Sequence, residues 1–185
     1  MSNEIGKPER ASQNRVIQLF QNELGYTYLG DWEEKIRTQP IEEDLLLTYL
    51  TKDAKYSAEM ARKAIDVIVK AATHISDDLY EANKEVYKLL RYGITVREEL
   101  GQPKETVWLI DWNNPTKNDF AVAEEVTVAG KHNKRPDVVL FVNGIALGVI
   151  ELKRSKVGVE EGIRQNLDNQ KPDFIEKYFT TMQLV

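Results

Sequence analysis

Asp137, Glu151 and Lys153 are ionisable residues set into stretches that otherwise read as buried strand. Asp137 opens the run Val138-Val139-Leu140-Phe141-Val142, Asn143-Gly144 follows, and the run from Ile145 to Ile150 leads into Glu151-Leu152-Lys153. Two β-branched runs around Asn-Gly predict a hairpin. Side chains alternate along a strand, so Glu151 and Lys153 share a face and Leu152 points away. A two-residue turn alone would set Asp137 opposite Ile150; a three-residue loop or a single bulge moves the pairing by one and sets Asp137 opposite Glu151. The longer loop or the bulge is expected. Val139, Phe141, Leu147 and Val149 would then lie on the carboxylate face, with Val138, Leu140, Val142, Ala146, Ile150 and Leu152 on the other.

Adjacent carboxylates repel, and each is costly to desolvate alone. A hard divalent ion such as Mg²⁺ removes that cost by binding carboxylate oxygens while keeping waters and a substrate phosphate. Asp137 and Glu151 are therefore candidate metal ligands. Lys153, one pleat further on, would hold an attacking water or neutralise charge at a phosphorus centre. Such a trio suits phosphodiester hydrolysis. The plainer reading, a solvated strand end carrying Glu-x-Lys for solubility, fits less well because both faces of the hairpin are apolar, which places it centrally in its sheet.

The 185-residue chain is 42% hydrophobic and carries a net charge of −5 with a pI near 5.2, so no global basic field marks it for nucleic acid. Locally the balance reverses. Lys131, Lys134, Arg135, Arg154 and Lys156 surround the candidate site and are read as contacts to a DNA backbone, with Arg135 expected opposite Lys153. The absence of cysteine excludes disulfide, zinc-thiolate and iron–sulfur chemistry and fits a reducing compartment. No signal pattern or membrane-length apolar run is present, so a cytoplasmic location is expected.

Helices are expected over Arg10 to Leu24, stopped by Gly25, then Ile41 to Leu50, Ser57 to Ile75 and Asp77 to Tyr92, closed by Gly93. Tyr26 to Gln39 reads as a loop whose aromatics pack on the core. Beyond Gly93 the pattern turns to strands at Ile94 to Leu100, Thr106 to Trp112 and Phe120 to Val128, then the hairpin, then a helix from about Glu160 to Gln170. His74 suits a helix C-terminus and His132 a solvated loop, neither a general base. The resulting expectation is an α/β chain, with a mostly helical part at 1–92 packing on a core at 93–185 built on a central mixed sheet. Val185 falls within what reads as a starting strand, as if the core were truncated there.

Pro136-Asp137 and Glu151-Leu152-Lys153 resemble the PD-(D/E)xK signature of metal-dependent nucleases. The segments Asp111 to Pro115, Asn118-Asp119-Phe120, Arg135 to Gly144 and Val149 to Lys153, with Leu24-Gly25-Tyr26 and Asn83 to Gly93, resemble the N-terminal nuclease domain of the R subunit of type I restriction enzymes. That resemblance covers nearly the whole chain. It implies a restriction-endonuclease-like core, an Mg²⁺-dependent endonuclease acting on double-stranded DNA, and Asp137, Glu151 and Lys153 as its catalytic residues. It also implies ATP only in motor domains beyond this chain and S-adenosylmethionine only in the methyltransferase (M) and specificity (S) partners. Gln165 matches an accessory glutamine of related nucleases, but the tyrosine they carry four residues later is Asn169 here. Their first-helix glutamate has no clear counterpart, Glu9 and Gln13 being nearest. Two other readings stay open: a nuclease-like domain that only docks or binds DNA, and a repair or resolvase nuclease of the same superfamily.

Overall fold

The structure is a computed structural model and describes residues 7–75, 78–153 and 159–185. It is a mixed α/β arrangement around a four-stranded sheet. The strands are β1 (Thr27–Asp31), β4 (Phe120–Glu124), β5 (Val138–Val142) and β6 (Ile145–Ile150), in the order β1-β4-β5-β6. β1 runs parallel to β4 and the other pairs are antiparallel, which makes the sheet mixed. β2 (Ile94–Val96) and β3 (Glu105–Val107) form a separate two-stranded ribbon.

Four helices come from the first half: α1 (Lys7–Gln18), α2 (Glu43–Thr48), α3 (Ala58–Thr73) and α4 (Leu79–Tyr92). Ser57 and Asp78 cap α3 and α4 by accepting from Met60 N and Glu81 N, satisfying donors that the first turn leaves unpaired. α3 buries Met60, Ala61, Ala64, Ile65, Ile68 and Ala72 along one stripe, as its spacing predicts. α1 and α2 each run on into a π-helical turn, Leu19–Glu23 and Tyr49–Asp53. α5 (Val159–Asn169) and a 3₁₀ turn at Glu176–Thr180 follow the sheet. Among the described residues no helix is long and apolar enough to cross a membrane.

Asn143 (φ +53°) and Gly144 (φ +83°) both take left-handed backbone, the signature of a type I′ turn. The turn is locked from outside. Asn143, 1% exposed, accepts from Asp119 N at 2.7 Å and donates to Leu109 O and Asn118 Oδ1 at 2.8 Å each. The three-residue loop does not form, because this two-residue turn pairs Val142 with Ile145; the bulge does. Phe141 pairs with Ala146 but Leu140 with Gly148, leaving Leu147 as the extra residue. Gln183 N and Leu184 N both donate to Leu147 O, at 2.8 and 3.1 Å, so the C-terminal segment holds the bulge.

The bulge redistributes two side chains relative to expectation. Ala146 joins Val139, Phe141 and Val149 against Trp32, Tyr178 and Phe179, and Leu147 leaves that face for the helical cluster. On the opposite face Val138, Leu140, Ile150 and Leu152 pack with Ile17 and Phe20 from the first helix and its π turn. Only β5 of the hairpin is central. β6 is the last strand, and its outer edge is covered by bridges from Ile41 to Ile145 and Leu184 to Gly148.

Other departures have local causes. Thr27–Asp31, expected as loop, is an edge strand whose alternation is obscured by an irregularity at Gly30. The strand expected to reach Val128 stops at Glu124, since Glu125 takes a left-handed φ of +51°. The expected strands over 94–100 and 106–112 shorten to β2 and β3. Asp77, expected to open a helix, and the lead-in before Lys7 lie outside the described residues.

Gly144 has no room for a side chain: an added Cβ would meet Glu42 O and Leu45 Cβ at 2.8 Å and Leu46 N at 2.9 Å. Gly144→Ala is therefore expected to lower the stability of the chain by about 2 kcal/mol or more, from left-handed strain and backbone collision together, read as a shift in urea midpoint at unchanged slope.

Candidate active site

The site lies at the open end of the β5–β6 hairpin. Beyond the bulge the register pairs Val138 with Ile150, so the next positions outward, Asp137 and Glu151, fall opposite one another. Asp137 reaches across the gap, its Oδ2 accepting from Leu152 N at 2.6 Å. Glu151 has a side chain only 2% exposed, and Lys153 Nζ stands 3.8 Å from its Oε2. The three residues singled out by type and spacing therefore share one corner of the fold.

α5 closes that corner. Gln165 Nε2 donates to Glu151 Oε2 at 2.7 Å, and Asn169 Nδ2 lies 3.5 Å from Oε1. Asn169 thus stands one turn along from Gln165, where related nucleases carry tyrosine, and turns its amide to the same carboxylate. Its Oδ1 is buried without a partner among the described residues.

From the other side come residues that sequence reasoning left unassigned. Gln13, on α1 and 4% exposed, donates from Nε2 to Glu125 Oε1 at 3.0 Å and to Asp137 O at 3.3 Å. Glu125 N also donates to Asp137 O, at 2.9 Å. Next to it the buried Glu124 takes a two-pronged contact from Arg10 at 3.0 and 3.2 Å and a hydrogen bond from the Tyr28 hydroxyl. The signal for this acidic pair was the abrupt end of the apolar Phe-Ala-Val-Ala run in Glu124-Glu125. The side chain of Glu9 is not among those described.

The electrostatics are those of a site short of positive charge. Burial, and then the Asp137 carboxylate, push the Glu151 carboxyl up to about 7; Lys153 opposes the shift and Glu125 adds to it. Among the described residues no three acidic or histidine side chains form a ready-made cage, so a metal here would rest on the two carboxylates. A hard divalent ion suits that donor set. It needs few protein oxygens, keeps its waters, and would offset both the burial and the Asp137 repulsion that raise the Glu151 carboxyl.

The expected basic residues are placed less uniformly. Lys134 lies near enough to lower the Glu151 carboxyl somewhat, with its Nζ 4.2 Å above the Phe174 ring. Lys131 is paired with Asp173 at 2.5 Å, and Arg135 with Glu125 at 2.9 Å and with Glu33. Arg154 and Lys156 lie outside the described residues.

Residues 7–185 match the family model described as "Type I restriction enzyme R protein N terminus". The chain is 30% identical over 154 residues to the putative type I restriction enzyme MjaVIIIP endonuclease subunit of Methanocaldococcus jannaschii, covering 78% of this chain and 14% of that protein. It is 39% identical over 105 residues to the type I restriction enzyme HindI endonuclease subunit of Haemophilus influenzae, covering 54% of this chain and 10% of that one. The chain therefore spans a small fraction of the length of the relatives it matches. With the family model matched from Lys7 to Val185, the chain belongs to the type I restriction enzyme R protein N-terminal family.

Proposed function

We propose that this chain is the Mg²⁺-dependent endonuclease portion of a type I restriction enzyme R subunit, with a PD-(D/E)xK core that hydrolyses phosphodiester bonds of double-stranded DNA. One observation carries the reading: Asp137 and Glu151 meet across the hairpin end, with Lys153 Nζ 3.8 Å from the Glu151 carboxylate. Asp137 and Glu151 would hold the ion. When bound, Mg²⁺ supplies Lewis acidity that lowers the pKa of a water and offsets charge on phosphoryl oxygens.

The chain's own groups do the rest. Gln165 and Asn169 fix the Glu151 carboxylate from α5, and Leu152 N fixes Asp137, so neither acid must reorganise when substrate arrives. Lys153, its ammonium turned toward the same corner, would orient the attacking water and neutralise charge growing on the phosphorus centre. Lys134 and Arg135 would meet the DNA backbone, Arg135 after leaving Glu125 and Glu33. That exchange of partners fits weak activity of this chain alone. In the whole protein, translocation would fall to ATP-driven motor domains and target choice to M and S subunits in the cytoplasm.

Three outcomes are expected. In the complete R subunit assembled with its partners, Asp137→Ala or Glu151→Ala should abolish DNA cleavage while ATP hydrolysis continues; cleavage surviving both would remove the assignment. Lys153→Ala should lower the cleavage rate about 100-fold or more, and Gln165→Ala about tenfold, in single-turnover assays.

The third outcome concerns pH. The Glu151 carboxyl is raised in the folded chain from 4.5 to about 7, so its contribution to stability is complete below its unfolded value and is lost as pH rises through 7. Mg²⁺ should offset that loss. Thermal unfolding of the isolated chain should show a larger Mg²⁺-dependent rise in Tm at pH 8 than at pH 5.5, where protons compete with the ion. Glu151→Gln should raise the metal-free Tm at pH 8 and cancel the Mg²⁺ effect.

A further inference from the structure

At the turn end of the same hairpin, away from the carboxylates, lies a cleft of about 810 Å³ between the end of α4, the π turn after α2 and the loop following β3. Its size is that of a small-molecule site. Trp108 and Trp112 line it while remaining 44% and 42% exposed, and Tyr92 at its lip is 68% exposed. The chain has three tryptophans, and the third, Trp32, is 4% exposed.

The Trp112 ring and the Trp108 backbone are held in place. Trp112 Nε1 donates to Leu90 O at 2.8 Å, and its ring carries the Arg91 guanidinium 5.2 Å from the centroid. Trp108 N donates to the Tyr56 hydroxyl oxygen at 3.1 Å. The Trp112 indole N–H is thus satisfied by the framework, and both indoles leave part of their ring surface to solvent. Arg91 and Lys117 supply positive charge in the cleft and Asp53 and Asp111 negative charge. Asp111 is engaged in the wall itself, accepting from Asn113 N and Asn114 N at 3.1 and 2.8 Å.

We propose that this cleft binds a nucleotide unit, with the base stacked on the indoles of Trp108 and Trp112 and the phosphate met by Arg91 and Lys117. Rigid aromatic faces beside cations are the means by which proteins hold an unstacked base and its backbone. Asp53 adds an acceptor for a base edge that carries an amino group, which favours adenine or cytosine over thymine. Both a free nucleotide and an unpaired base in a DNA strand present this chemistry. The site is separate from the carboxylate corner and needs no metal.

The test is tryptophan fluorescence of this chain in EDTA, titrated with dAMP, with single-stranded oligo-dA and with a duplex of the same length. Saturable quenching by dAMP or oligo-dA is expected, weaker with oligo-dT. Tighter binding of oligo-dA than of dAMP identifies a DNA strand as the source, and binding no tighter than dAMP identifies a free nucleotide. Trp108→Ala and Lys117→Gln should each weaken binding about tenfold or more with unfolding midpoints checked in parallel, Lys117 being an exposed side chain. Absence of saturable quenching by dAMP and by oligo-dA, or an unchanged half-saturating ligand concentration in both variants, would overturn the proposal. Running the titration in EDTA keeps its outcome independent of whether the carboxylate corner cuts DNA.

Discussion

Two carboxylates are forced together at the end of a hairpin that is otherwise apolar on both faces, and the local structure is built around that constraint. Glu151 is almost wholly removed from solvent, Asp137 faces it, and Glu125 stands close enough to add to the repulsion. In water such groups would separate. Here they are held by a backbone donor at Leu152, amides from α5, a glutamine from α1, and a lysine two residues further along the chain. Under the proposed reading, a divalent ion held by the two carboxylates would offset the repulsion that Lys153 alone opposes only in part.

The framework that imposes the contact extends well beyond the site. The type I′ turn at Asn143-Gly144 would by itself put Asp137 and Glu151 on opposite faces, and the single extra residue at Leu147 corrects the register. That bulge is pinned by Gln183 and Leu184, and Asn83 on α4 binds the carbonyls of Thr180 and Met182 at 2.9 Å, tying the same segment to the helical half. The helices of the first half and the chain's last residues thus set which way Glu151 points. The buried Asn143–Asn118 network joins the turn to the wall of the aromatic cleft, so the two candidate sites stand at the two ends of one hairpin.

Much of this was legible in the residues. Strong signals were local: Asn-Gly for the turn, Ser57 for the start of α3, the apolar runs for β5 and β6, and acids and lysine breaking those runs for the site. The need for a bulge followed from requiring the carboxylates to meet, but its position did not, because Leu147 reads as strand either way and tertiary bonds from residues 183–184 select it. β1 was hidden for a related reason. A five-residue edge strand interrupted at Gly30 has too little alternation to be seen, and its pairing with β4 is a contact across some 90 residues. Gln13 was near the expected first-helix position but unassigned, and Glu125 was marked only by the end of an apolar run, because their convergence on Asp137 is made by tertiary contacts. The basic cluster was legible as charge but not as geometry, since Glu33, Glu125 and Asp173 come from distant segments to pair with it.

The most direct test of the central claim is the titration of the Glu151 carboxyl carbon itself, followed by NMR in the isolated chain with and without Mg²⁺. Without metal the midpoint should lie near 7, reflecting burial beside Asp137, and Mg²⁺ should move it down by more than about one unit as the ion displaces the proton. An ordinary midpoint near 4.5 that Mg²⁺ leaves unchanged would contradict the account, because the two acids would then be neither in contact nor in need of a cation.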